Sequence, residues 1–333
     1  MMNTETNRFP FKYALALLAA AFFWGTTFAA QSIGAGYVGP FTYLTVRSYI
    51  GTLFLLPFIF GRSLAEQSVP QAERSRRARL PKATFSSRAG ADKENLLSHK
   101  THKSGFLKRH PLMIAGACCG IFLFLSSALQ QYGIAFSSTA NASFITAMYV
   151  VIVPLLTLFT GKKPGGRIWF SVVLCVAGLY LLCMKDGFSI SYGDFFLLLC
   201  AVGFSLQIMT VNHFSPRVDG LKLSASQFFT VALLSTVCMF CFERPDMSSL
   251  WQAMPSMLYA GIFSNGIAYT CQIIGQRHVN PTVASLIMCL ESVFGTLSGW
   301  LVLHEQLSIK ELAGCVLMFA AILLCTIPAR TKS

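Results

Sequence analysis

Charge is what this sequence has least of. Asp, Glu, Lys and Arg make up 12% of its 333 residues, against about 25% in a soluble domain. Acidic residues number only 13. That shortage, beside 54% apolar residues, excludes an ordinary cytoplasmic enzyme, a disordered chain and a disulfide mini-protein. Catalytic signatures are missing as well. There is no P-loop, no GxSxG, no HExxH and no paired zinc-ligand motif. Cys238-x-x-Cys241 has metal-type spacing but no second ligand pair. The eleven Cys fall within or at the edges of apolar runs and read as small packing residues. A membrane-embedded enzyme would show carboxylates or His clustered at a membrane surface, and none appears. No enzymatic activity, cofactor or metal is expected.

What is present is a series of apolar runs of membrane-spanning length. A span needs roughly 20 apolar residues to cross the hydrocarbon core. Ten qualify: 12–31, 40–61, 111–131, 139–160, 168–184, 193–213, 223–242, 251–275, 282–303 and 309–327. In lipid they must be helices, because only a helix or a closed barrel satisfies its own backbone there. The expected fold class is an all-α integral membrane protein of ten transmembrane helices.

The formal charge of +13 would suggest nucleic acid in a soluble protein, but most of it is local. Segment 62–110 holds twelve Lys/Arg and four acids, a net +8. It lacks an apolar face and is expected to be disordered or fraying helix. It could contact anionic lipid, bind a partner, or act only as solvated charge that fixes orientation. With the N-terminus inside, 22 Lys/Arg fall on inner segments and 3 on outer ones. Cytoplasmic loops carry that excess, so both termini are expected in the cytoplasm. A cleaved signal peptide would leave nine spans and spoil this split. No nucleic-acid partner is expected, and oligomeric state is left open.

An internal repeat organises the spans. At an offset of 142 in the numbering, Gln130, Gly133, Ala142, Ser143 and Ile145 meet Gln272, Gly275, Ala284, Ser285 and Ile287. Tyr149 meets Glu291 at the same offset. A weaker alignment at offset 180 sets span 2 on span 7 and Arg47 on Gln227. The two offsets differ by 38, which marks 62–110 as an insertion between halves of five helices. An odd count per half gives opposite orientations, so the halves are expected to be two inverted-topology five-helix repeats, a pattern of secondary transporters. The expected units are 1–61 (spans 1 and 2), 62–110 (insertion), 111–184 (spans 3–5) and 193–327 (second repeat).

Several motifs carry a family resemblance. Span 1 has Trp24-Gly25-Thr26-Thr27-Phe28 and span 2 has Thr45-Val46-Arg47-Ser48. Span 9 runs Leu290-Glu291-Ser292-Val293-Phe294, then Gly299-Trp300-Leu301 and His304-Glu305-Gln306-Leu307. Together they resemble the EamA family of the drug/metabolite transporter superfamily, over nearly the whole chain except 62–110. Three departures stand out. Ser292 replaces the family's usual Pro, so the helix break in span 9 is expected to be lost. Lys163 occupies the first-half counterpart of Glu305, and the basic insertion is atypical. The resemblance implies a secondary transporter of small organic solutes in the bacterial inner (cytoplasmic) membrane, with spans 1, 3, 4, 6, 8 and 9 lining the site. Such families include exporters of amino acids and importers of S-adenosylmethionine, so an amino acid or related solute is the first expectation and a nucleoside-type metabolite the second. A channel or non-transporting scaffold is a remoter alternative.

Site candidates follow from polarity inside the spans. Arg47 and Glu291 are the deepest charges in the assignment, and an unpaired charge in hydrocarbon costs about 2.5–3.5 kcal/mol or more. Three readings stay open: one or both face a central cavity, they pair with each other, or Arg47 snorkels to the outer interface. Gln130, Asn141, Gln207, Asn265 and Gln272, with Gln131 and Gln227, bring amides that need partners. They line a pathway or join helices. Trp24, Tyr149 and Tyr269, with Phe23, offer aromatic faces for a cationic or planar solute, or pack. The candidate cavity set is therefore Trp24, Gln130, Asn141, Tyr149, Gln207, Asn265, Tyr269, Gln272 and Glu291, with Arg47 and Glu291 as coupling candidates. Gly116–Gly120 and Gly295–Gly299 have GxxxG spacing, for packing within the bundle or between copies. Pro154 is a candidate kink in span 4.

Overall fold

The computed structural model describes residues 11–68, 110–134, 136–137, 139–161, 164–183, 192–303 and 308–326. Most of the basic insertion, Lys163, Glu305 and the terminal basic residues lie outside the described residues. Those described form helices and short turns, with no strand among them. Helices α1 (Phe11–Ala35) and α2 (Pro40–Ser68) are spans 1 and 2. Span 3 is α3 (Pro111–Ile134), and span 4 is split into α4 (Thr139–Thr146) and α5 (Tyr149–Phe159). Helices α6 (Gly166–Cys183), α7 (Tyr192–Phe214) and α8 (Gly220–Phe242) follow as spans 5–7. Span 8 comprises α9 (Met247–Tyr259), a π-helix (Ala260–Ala268) and α10 (Tyr269–Gln276). Span 9 is split into α11 (Pro281–Met288) and α12 (Glu291–Leu303), and span 10 is α13 (Ile309–Thr326).

Nine helices among the described residues are long and apolar enough to cross a membrane. The remaining span, Met247–Gln276, is helical throughout, with its middle wound as a π-helix. The ten spans expected from hydropathy are therefore present. Span 2 runs past its expected end: α2 continues to Ser68, and Arg62 pairs with Asp219 at 3.4 Å.

Helix starts are satisfied by side chains, as free N–H groups require. Asp219 Oδ1 accepts from Lys222 N, and Asn280 Oδ1 accepts from Thr282 N. Ser308 and Glu311 form a reciprocal capping box at α13: Ser308 N donates to Glu311 Oε2 at 2.8 Å and Glu311 N to Ser308 Oγ at 3.2 Å. Glu243, just past α8, caps α2 from outside. Its carboxylate accepts from Phe41 N at 2.8 Å and Thr42 N at 2.7 Å.

The helix pairing repeats across the two halves. Span 1 packs on spans 8 and 9, as span 6 packs on spans 3 and 4. Span 2 packs on span 8, as span 7 packs on span 3. Spans 2 and 7, 4 and 9, and 5 and 10 pack on their own counterparts. This is the contact pattern of two five-helix repeats around a pseudo-two-fold axis. Glycines show it at atomic detail. A Cβ on Gly133 would meet Leu197 and Gly193 O; one on Gly275 would meet Leu17 and Tyr13 O. Leu197 and Gly193 stand at offset 180 from Leu17 and Tyr13, and Gly275 stands at offset 142 from Gly133. Both repeat offsets thus meet in one contact.

The expectation for Ser292 is overturned. Span 9 is interrupted at Cys289–Leu290 although Ser292 replaces proline, and span 4 is interrupted at Ala147–Met148, the counterpart position. At both breaks the chain tightens into i→i+3 bonds: Met148 N to Ile145 O at 3.1 Å, and Leu290 N to Ile287 O at 3.2 Å. Burial permits this, since irregular backbone at membrane depth is tolerated when protein surrounds it. Cys289 Sγ contacts Ala147 O at 3.9 Å, so the two breaks meet. Pro154 lies inside continuous α5 and is not the site of the interruption.

Three of the GxxxG glycines, Gly116, Gly120 and Gly295, pack within the bundle. Gly116 and Gly120 face Ser226 and Thr230 of α8, and Gly295 faces Gly25 of α1. A Cβ on Gly25 would lie 2.6 Å from Glu291 O and 2.7 Å from Gly295 N, whereas one on Gly61 would meet nothing within 4 Å. Gly25→Ala should therefore cost about 1–3 kcal/mol of overpacking strain, read as a lower thermal midpoint in detergent. Gly61→Ala should leave the midpoint unchanged or raise it, since alanine favours a helix over glycine, and equal midpoints for the two variants would contradict the α1–α12 contact.

Candidate functional site

Where spans 4 and 9 are interrupted, the bundle surrounds a cavity of about 60 Å³. The walls come from spans 1, 2, 3, 4, 6, 7, 8 and 9. Trp24, Gln130, Tyr149, Gln207, Asn265, Tyr269, Gln272, Glu291 and Arg47 all line it. Asn141 is in the first turn of α4, and its side chain lies outside the described residues. Gln131 and Gln227 are buried but not lining, and Phe23 stacks on Phe263 at 5.5 Å instead.

Residues absent from the sequence-based set also line the cavity: Phe28, Gln31, Ser127, Thr146, Phe204, Ile208, Phe228, Ser264 and Met288. The repeat would have found several of them. Offset 180 carries Trp24 to Phe204 and Phe28 to Ile208. Offset 142 carries Ser127 to Tyr269, Gln130 to Gln272, Thr146 to Met288 and Tyr149 to Glu291. Twelve of the eighteen lining residues are thus repeat counterparts, and the cavity straddles the pseudo-two-fold axis. Gln31 carried a weaker signal, since it lies at the very end of the apolar run of span 1.

The two charges do not pair. No ion pair within 4.0 Å joins Arg47 and Glu291. Arg47, 5% exposed, donates from Nη1 to Gln31 Oε1 at 2.7 Å. Its guanidinium lies 5.7 Å from the Tyr43 ring centroid, close enough for a cation–π contact. Arg47 Nε has no partner. Burial also answers the snorkelling reading: this side chain stays inside the bundle. Glu291, 8% exposed, accepts from its own repeat counterpart, Tyr149 Oη, at 3.1 Å. It is the first residue of α12, where the helix dipole favours a carboxylate.

Neutral polar and aromatic groups complete the walls. Gln272 Nε2 donates to Gln207 Oε1 at 3.2 Å, which leaves Gln207 Nε2 and Gln272 Oε1 without partners. Trp24 Nε1 and Asn265 Nδ2 also lack partners. An unmet buried polar group costs about 1–3 kcal/mol, so a ligand or water in the cavity has groups to satisfy. Trp24 meets Tyr269 edge-on at 4.8 Å, and Phe228 meets Tyr269 at 5.0 Å. No group of His, Cys, Asp and Glu suited to a metal ion occurs among the described residues, and all eleven Cys are free thiols.

The cavity is sealed at one end. Every residue from Pro281 to Ser292 is buried, and Thr157 Oγ1 lies 3.4 Å from Thr282 Oγ1 across the gap between spans 4 and 9. Beside this seal Tyr13 stacks on His278 at 3.8 Å. This end of the bundle carries Lys12, Arg62, Arg217, Lys222 and Arg277. Toward the opposite end, Phe294–Ser298 of span 9 are only half-buried.

Residues 11–76 and 191–327, more than half of the chain, match the EamA-like transporter family. The chain belongs to the EamA-like transporter family. It is similar to an uncharacterized transporter of Archaeoglobus fulgidus, with 26% identity over 93% of this chain and 84% of the relative. It is also similar to the uncharacterized transporter YoaV of Bacillus subtilis, at 22% identity over 95% and 97% of the two chains. A solved crystal structure shares the fold, with TM-score 0.71 and 19% identity over 97% of this chain and 99% of the other. Like other EamA-like proteins, this one is a multi-pass membrane transporter, not an enzyme, with a small molecule as substrate and the bilayer as its surroundings.

The Tyr149–Glu291 contact can be checked directly. Tyr149→Phe leaves the buried carboxylate without its phenol donor and should cost about 1–3 kcal/mol, read as a lower thermal midpoint. Exposed Tyr132→Phe should cost nothing, and an unchanged midpoint for Tyr149→Phe would remove this bond from the account.

Proposed function

We propose that the protein is a secondary transporter that moves a small zwitterionic metabolite of the amino-acid type across the cytoplasmic membrane by alternating access. One observation carries this reading: Arg47 and Glu291 line the same buried cavity, and each is held by a neutral side chain instead of by the other. Buried charges that do not neutralise one another call for a ligand that brings both signs. A carboxylate meets Arg47 and an ammonium meets Glu291, while Trp24, Tyr269 and Phe228 accept the side chain. S-adenosylmethionine has the same amino-acid head and is the second reading, supported by the aromatic walls. Glu291 doubles as the candidate for proton coupling.

The Lys/Arg distribution supports cytoplasmic termini. With that orientation the sealed, basic end faces the cytoplasm, and the conformation is outward-facing. The net +8 of segment 62–110 suits contact with anionic headgroups on that side.

Purified protein in liposomes, offered labelled amino acids, nucleotides and S-adenosylmethionine, should take up an amino acid with saturable kinetics. Arg47→Gln and Glu291→Gln should each lower uptake by about tenfold or more, the scale of losing one charge-assisted contact. If none of these solutes moves saturably, the carrier reading falls. A Glu291→Gln protein that transports normally at every pH removes the carboxylate from the mechanism.

A further inference from the structure

The two repeats differ by one residue at the cavity wall. In span 3, Gly120 packs against Gln227 O and the Thr230 side chain; in span 8, Gly261 packs against Arg47 O and the Ile50 side chain. Gln227 and Thr230 stand at offset 180 from Arg47 and Ile50, so these are the same contact in the two halves. Yet Gly261 stands at offset 141 from Gly120, whereas Gly275 stands at offset 142 from Gly133. Span 8 therefore holds one more residue than span 3 between two equivalent anchor points. The π-helix at Ala260–Ala268 lies in this interval, and the span 3 counterpart is uninterrupted α-helix. A single residue inserted into an α-helix is absorbed as a π-turn, a feature frequent at functional sites.

The inserted turn changes what the wall presents. Ser264 and Asn265 line the cavity, while Phe122, Leu123 and Phe124, their counterparts in either register, do not. Asn265 is 1% exposed and its Nδ2 has no partner. It faces span 2 directly: a Cβ on Gly51, one turn from Arg47, would lie 2.6 Å from Asn265 Cβ. We infer that the one-residue insertion in span 8 makes Asn265 a specificity-determining residue, which with Arg47 selects solutes carrying a carboxylate at the span 2 side of the cavity. This rests on the zwitterion reading proposed above and adds the residue that gives an otherwise near-symmetric cavity its polarity. An amide supplies the second donor that a carboxylate takes beside a guanidinium.

Three probes sharing an aryl group separate the contacts: phenylalanine, phenethylamine without the carboxylate, and 3-phenylpropanoate without the ammonium. Binding is measured on full-length protein in detergent by thermal shift. Wild type should prefer phenylalanine to either analogue by about tenfold or more. Asn265→Leu, the residue that span 3 carries at 123, should reduce the phenylalanine-to-phenethylamine ratio by about tenfold and leave the phenylalanine-to-3-phenylpropanoate ratio unchanged. Deletion of Ile262 should restore an α-helix, keep the anchors at Gly261 and Gly275, retain the wild-type circular dichroism, and change the ratios in the same way. Wild type without a preference for phenylalanine overturns the zwitterion reading and this inference together. A wild-type preference that survives Asn265→Leu overturns this inference alone. So does an Ile262 deletion that folds and keeps the wild-type ratios.

Discussion

Tyr149 donates a hydrogen bond to Glu291 across the pseudo-two-fold axis, and the two residues also begin α5 and α12. Hydrocarbon offers no hydrogen bonds, so a span can be interrupted only where protein covers the exposed backbone. Spans 4 and 9 meet that condition together, because each break is buried against the other. Their crossing leaves the central space, and the other spans pack around it. The close glycine contacts of spans 1, 3, 5, 8 and 9 hold the bundle tight outside that space.

Near-symmetry explains much of the cavity, including the Gln130–Gln272 pair, but not where its charges stand. Counterpart positions supply most of the lining, but at half of the pairs the chemistry has diverged: Tyr149 against Glu291, Ser127 against Tyr269, Thr146 against Met288. The remaining polar lining comes from places where the halves do not correspond. Arg47 reaches the cavity whereas its counterpart Gln227 is buried in helix packing. Asn265 reaches it on a π-turn that span 3 lacks.

A buried cation and a buried carboxylate in one protein ordinarily suggest an ion pair. Here Gln31 and Tyr149 take those places, so the charges are positioned but not neutralised. This fits a site meant to exchange water for a charged solute, at a cost in stability to the empty protein.

The ten spans, the two halves and the family resemblance were legible in the amino-acid order, because span length, Lys/Arg placement and repeat offset are linear properties that hydrocarbon imposes directly. The same order also pointed to Arg47, Glu291 and most of the lining amides, since polar groups at membrane depth are costly wherever they sit. It misjudged Ser292: proline is one way to break a helix, but a break needs only burial and tightened i→i+3 bonds. It passed over Phe204, Ile208, Ser127 and Met288, whose apolar or small side chains look alike in wall and core. That Arg47 and Glu291 stay apart, and that span 8 carries one extra residue, emerged only from the packed helices. Those facts depend on which helix faces which, and contact between positions in opposite halves of the chain leaves no trace in local composition.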